Sequence, residues 1–232
     1  MSADLHDDPA QLPLGGTEGT PLIPVVDDPV SLALQRGEAA LLANDVAGAI
    51  AAFREALDAA PGQVRATARL AVSLDRAGNI EGAMAELDRA LGPHADNVTL
   101  LVTRASLASA RLRYAQAEAD LRRALKLAES TADVHLQLGI LCCRRARWRD
   151  AIEPLQRAVQ LDPTLVGAHY HLGEAYNHVD DLEAARHAYQ RAAELDPTHW
   201  RALQGLGVVY DRLGRPVEAA AAYRRSREAQ RS

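Results

Sequence analysis

Apolar and polar positions recur along this chain with a fixed interval. The triplet Ala49, Phe53 and Ala56 returns as Ala83, Leu87 and Ala90, then as Ala117, Leu121 and Ala124. It returns again as Ala151, Leu155 and Ala158, as Ala185, Tyr189 and Ala192, and as Ala219, Tyr223 and Ser226. Steps of four and three put each triplet on one face of a helix. Upstream of each triplet lies a second stretch of helical periodicity, set off by a short polar break such as "NHVDD" (177–181) or "RLGRP" (212–216). Each unit therefore predicts a helical hairpin, and six units start at residues 30, 64, 98, 132, 166 and 200 with no insertion. Alanines in the triplets let the paired helix approach closely. The tetrapeptide "LDPT" at 161–164 and 195–198 marks the corner between hairpins. Proline there pushes the residue before it out of the helical region and is itself strongly disfavoured in a helix interior. The fold expected is all-α.

In these units the sequence resembles the tetratricopeptide repeat family, whose unit reads W-x-x-L-G-x-x-Y, then A-x-x-x-F, then P. The unit from 166 carries Leu172, Gly173, Tyr176, Ala185, Tyr189 and Pro197, with His169 where Trp is usual. The unit from 132 carries Leu138, Gly139, Ala151, Leu155 and Pro163, with Cys142 where Tyr is usual. Elsewhere the match loosens: Arg36 and Arg104 stand for the leucine, and Ala95 and Glu129 for the proline. The resemblance implies an α-solenoid of six helical hairpins forming a right-handed superhelix over residues 30–232. It also implies that the first helix of each hairpin lines a concave groove that holds a segment of a partner protein. By offset, the groove candidates are Arg69, Arg76, Val102, Leu136, Ile140, Arg144, Tyr170, His171, Glu174, Asn177, His178 and Arg212, together with Leu34, Glu38, Val72 and Asp211. Its arginines are suited to pairing with a partner's carboxylates, and Tyr170, Arg144 and Arg212 stand out as anchors.

Two special uses of the family's groove find no support. A clamp for a chaperone's terminal carboxylate needs Asn and Lys on the first helices, where this chain has Glu38, Val72 and Ser106 and no lysine before Lys126. A ladder of asparagines for gripping peptide backbone is also missing.

Of the 232 residues, 48% are apolar, mostly Ala, Leu and Val, and only 4% aromatic, which suits close-packed helices. The net charge of −5 gives no general attraction to nucleic acid or to an anionic membrane. Residues 1–29 hold Asp4, Asp7, Asp8, Glu18, Asp27 and Asp28 with no basic residue, a local −6 that leaves +1 for the rest. This stretch is rich in Pro and Gly and reads as a disordered tail, able to compete for an arginine-bearing groove. No signal peptide or run of roughly 20 apolar residues is present. The adjacent Cys142 and Cys143 do not suit a structural disulfide. A cytoplasmic protein is expected, and the single lysine, Lys126, suits a GC-rich bacterial genome.

Cys142 and Cys143, with His135, His169, His171 and His178, are the residue types that bind zinc. Their offsets place Cys142, His135 and His169 in the core, leaving Cys143, His171 and His178 able to face the groove, so neither a metal nor another cofactor is expected. No phosphate loop, nucleophile elbow or H-E-x-x-H motif appears, and the repeats leave no room for a catalytic domain. The expected function is a non-catalytic scaffold or adaptor for a protein or peptide partner, with a self-assembling homo-oligomer as the alternative.

Overall fold

The computed structural model describes residues 28–231, and the acidic segment expected to be a tail lies almost wholly outside them. Twelve helices follow in order: α1 Pro29–Leu42, α2 Val46–Ala59, α3 Val64–Arg76, α4 Ile80–Leu91, α5 Val98–Ala110 and α6 Tyr114–Leu127. They continue as α7 Ala132–Arg144, α8 Trp148–Leu161, α9 Val166–His178, α10 Leu182–Leu195, α11 Trp200–Arg212 and α12 Pro216–Ala229. Consecutive helices pair into six antiparallel hairpins, and no strand occurs among the described residues.

The turn inside each hairpin is built the same way six times. Asn44, Gly78, Leu112, Ala146, Asp180 and Gly214 all adopt positive φ, each 34 residues from the last. The next residue donates its N–H to a carbonyl five positions back, from Asp45 to Ala40 through Arg215 to Tyr210, at 2.8–3.0 Å. This is the Schellman closure, which satisfies carbonyls orphaned at a helix end and requires one left-handed residue. The second helix then starts at once. Asp45, Asn79 and Asp181 cap it with side-chain oxygens, whereas Arg113, Arg147 and Arg215 stand at the same place without a side-chain cap bond.

Within hairpins the helices approach closely at one position. Gly37, Gly139, Gly173 and Gly207 face Phe53, Leu155, Tyr189 and Tyr223, and a Cβ on any of these glycines would come closer than 3.0 Å to that side chain. The large residue thereby fills the notch left by the small one, and Phe53, Leu87, Leu121, Leu155 and Tyr189 are all buried.

Between hairpins the repeated "LDPT" forms one structure twice. The Asp162 carboxylate accepts from the N–H and hydroxyl of Thr164 at 2.9 and 2.6 Å, and Asp196 accepts from Thr198 at 2.9 and 2.7 Å. These bonds stabilise the charged forms, so both carboxyls are held below their ordinary range, led by the threonine hydroxyl. His135 and His169, at the usual Trp position, donate Nε2–H to the carbonyls of Glu129 and Pro163 at 2.7 and 3.0 Å, tying each hairpin to the preceding corner.

Successive first helices touch one another, α3 to α5 to α7 to α9 to α11, while the second helices do not meet with comparable closeness. The first helices therefore form the inner layer of an α-solenoid and the second helices its outer layer.

Candidate concave groove

The N-terminal half of the inner layer holds an open pocket of about 710 Å³ between α3 and α5. Val64, Ala68 and Val72 supply its apolar floor, and Arg65, Arg69, Thr99 and Thr103 its polar rim. Glu38 on α1 holds the arginines in place: Arg65 donates Nη2–H to its Oε1 at 2.7 Å, and Arg69 Nε stands 3.6 Å from the same oxygen. One carboxylate between two guanidiniums leaves an excess of positive charge on that wall. Arg76 is exposed with no partner among the described residues, and Val102 is half-buried on α5.

The middle is more closed. Leu136 and Ile140 are half-buried, and Leu136 packs against the cluster around Cys143, Leu155 and Leu172. Cys143, a residue expected to be able to reach the groove, is only 7% exposed and lies among Leu172 and Ala175 of the next hairpin. Burial, with the Glu174 charge adding to it, pushes its thiol up to about 12. Arg144 is exposed without an ion-pair partner among the described residues, and its carbonyl accepts from the Tyr114 hydroxyl at 3.2 Å.

In the C-terminal half the expected groove residues chiefly bond to one another. Glu174 accepts from the Tyr170 hydroxyl at 2.8 Å, and His171 Nδ1 lies 2.7 Å from its other oxygen. Burial opposes the Glu174 charge, but the His171 and Tyr170 hydrogen bonds outweigh it and hold the carboxyl below its ordinary value. The Tyr170 phenol is pushed the other way, by burial and by the adjacent carboxylate. Its ring also packs against His199 and Tyr189, with centroids at 4.9 and 6.0 Å. Arg212 donates to the Asn177 carbonyl at 2.8 Å, to its Oδ1 at 2.5 Å, and to Asp180. His178 stacks flat on Trp148 at 3.8 Å. Thus Tyr170, Asn177, His178 and Arg212 have their polar or ring surfaces engaged inside the chain.

Arg65, Thr99 and Thr103 complete the open pocket and escape the sequence reading. The signal for Arg65 was present: it lies one turn before Arg69 on the same face. Among the described residues no cluster of His, Cys, Asp or Glu is arranged to hold a metal ion, and no helix is long and apolar enough to cross a membrane.

Family models described as tetratricopeptide repeats match residues 40–104 and 165–232, and a third, described as TPR repeat, matches 141–177. Between them they cover more than half of the chain. It belongs to the tetratricopeptide repeat family. Repeats of this family generally serve as protein–protein interaction scaffolds. Among solved tetratricopeptide structures, the APC/C hetero-tetramer Cut9–Hcn1 superposes with a TM-score of 0.77 at 17% identity, over 86% of this chain and 40% of that one. The present chain thus spans well under half of that relative. Pseudomonas aeruginosa pilF superposes with a TM-score of 0.68 at 20% identity, over 84% of this chain and 89% of that one. YrrB, described as a TPR protein with an unusual peptide-binding site, gives 0.55 at 22% identity over 78% and 93%. No curated protein sequence matches the chain.

Proposed function

We propose that this protein is a non-catalytic adaptor that binds an extended partner segment in the N-terminal half of its concave face. The observation that carries this reading is the pocket between α3 and α5, an apolar floor beside a wall where Arg65 and Arg69 share Glu38. A floor of Val64, Ala68 and Val72 takes an apolar side chain, and the surplus guanidinium charge takes a carboxylate next to it. The pocket is preformed by helix packing, so its backbone and apolar floor need little ordering on binding. YrrB, of the same fold, is described as having a peptide-binding site, which is consistent with such a use.

The test is a pull-down from native lysate with mass spectrometry. It compares the wild type with Val72→Gln/Thr103→Arg, which fills and polarises the pocket while leaving the buried core intact. A protein captured by the wild type and lost with the variant, the variant's helical circular dichroism being unchanged, supports the adaptor reading. A protein captured equally by both places binding elsewhere and rejects it.

A further inference from the structure

The edge of the solenoid where the intra-hairpin turns line up carries a sharply localised charge. The turns of hairpins three and four, residues 108–116 and 142–150, hold six arginines against one acid, a local charge of +5. Neighbouring turns do not share it: the turn of hairpin two carries Asp75 and Glu81 with one arginine, and that of hairpin five carries Asp180, Asp181 and Glu183 with none.

Half of the six arginines have partners. Arg111 pairs with Asp75 at 2.6 Å, Arg145 with Glu118 at 3.0 Å and Arg147 with Asp150 at 2.7 Å. Arg113, Arg144 and Arg149 are exposed and have none among the described residues. The two turns are also locked side by side. Tyr114 of one donates to the Arg144 carbonyl of the other, and the Arg145 guanidinium lies 6.0 Å from the Tyr114 ring centroid. On the far side the stack of Trp148 on His178 fixes the fourth turn against the fifth hairpin. Beside these charges Leu112 stands 71% exposed.

We propose that the paired turns of hairpins three and four, which adjoin the groove through Arg144 but share no residue with the pocket between α3 and α5, are a second docking surface for a short acidic segment of a partner protein. Guanidiniums without an internal partner are suited to carboxylates, since each presents a planar fork, and the turns that carry them are already tied together. The dimensions set the length of the ligand. Two neighbouring hairpins with axes roughly 10 Å apart span about 20 Å, which an extended chain covers in about six residues. The same dimensions disfavour a nucleic acid, because a longer polyanion would run onto the acidic turns of hairpins two and five.

The surface is tested on the full chain with fluorescein-labelled octaglutamate, by fluorescence anisotropy at ~50 and ~300 mM salt. One variant carries Arg113→Glu, Arg144→Glu and Arg149→Glu. A control carries the same charge change at exposed positions elsewhere, Arg54→Glu, Arg224→Glu and Arg227→Glu, and circular dichroism checks the fold of both. The expected result is salt-sensitive binding to wild type and control, weakened at least about tenfold in the turn variant. A milder Arg113→Gln/Arg144→Gln/Arg149→Gln variant gives an intermediate loss. Equal weakening in control and turn variant would reduce the effect to bulk charge and overturn the proposal. So would undetectable octaglutamate binding by the full chain, or tighter binding of an oligouridylate of matching charge. The groove variant Val72→Gln/Thr103→Arg retains octaglutamate binding, so the two surfaces stand or fall separately.

Discussion

Arg104 grips Asp120 at two points, Nε to Oδ2 at 2.9 Å and Nη2 to Oδ1 at 2.7 Å, with the aspartate side chain only 8% exposed. Arg104 occupies the position filled by Leu172 and Leu206 in hairpins five and six, and Asp120 the position filled there by Ala188 and Ala222. The departure from the repeat pattern is thus a matched pair, with Asp88 of the preceding hairpin adding a third member at 2.6 Å. The Asp120 hydrogen bond is the main reason the Arg104 guanidinium is held even more firmly protonated than usual.

Removing one member strands the other. Arg104→Leu leaves a buried, unpaired carboxylate and should cost about 3–5 kcal/mol in urea unfolding. Arg104→Leu/Asp120→Ala restores the combination of hairpins five and six and should recover most of that loss, because apolar replacement of a whole buried pair is often near neutral. A double variant no more stable than the single one would show that the pair is needed for more than mutual compensation.

The hairpins and their register are legible in the sequence because one physical demand, a small residue facing a large one across a hairpin, repeats at fixed offset. The Schellman turns are half legible. Gly78, Gly214, Asn44 and Asp180 announce them, while Leu112 and Ala146 hide them. The fate of the groove side chains is not legible. Cys143 meets Leu172 and Ala175, and Arg212 meets Asn177 and Asp180, through the rotation between successive hairpins. No periodicity within one hairpin encodes that rotation. Offsets therefore place a residue on the inner layer without saying whether its polar atoms are already used.

Leu112 has a φ of 61° and Ala146 one of 55°, where the Cβ crowds the following carbonyl. Glycine relieves about 1–2 kcal/mol of that strain and returns about 0.5–1 kcal/mol as extra chain entropy in the unfolded state. Leu112 and Ala146 are exposed, so little packing is lost. Leu112→Gly and Ala146→Gly should each stabilise the fold by roughly 0.5 kcal/mol, seen as a higher urea midpoint at unchanged slope. Asn44→Ala and Asp180→Ala should act in the opposite direction.

Pro154 lies seven residues into α8 and lacks the N–H that would bond the Asp150 carbonyl. An interior proline costs a helix about 3 kcal/mol through the lost bond and the clash of its ring with the preceding turn. Pro154 is half-buried at the position of Ala188 and Ala222 in other hairpins, so alanine fits there. Pro154→Ala should raise stability by about 1–3 kcal/mol in urea or thermal unfolding. A neutral result would mean that the surrounding hairpins have already absorbed the distortion.

Glu174 links the pH of the solution to the C-terminal half of the groove. Its carboxyl is held below the ordinary 4.5, because the His171 and Tyr170 hydrogen bonds outweigh the cost of burial. The unfolded chain therefore takes up this proton more readily than the folded one. The contribution is fully present above the ordinary value and is lost as pH falls through the folded one. Glu174→Gln removes the ionisation while keeping an oxygen for the Tyr170 hydroxyl. At neutral pH it should cost about 1–2 kcal/mol, the difference between a hydrogen bond to a charged acceptor and one to a neutral acceptor. That gap should shrink steadily in urea unfolding as the pH is lowered below about 4.5, since the wild-type carboxyl then becomes neutral as well. A gap that stays constant down to the acid limit would assign the cost to shape and would show that the Glu174 charge contributes nothing to holding Tyr170 and His171 together.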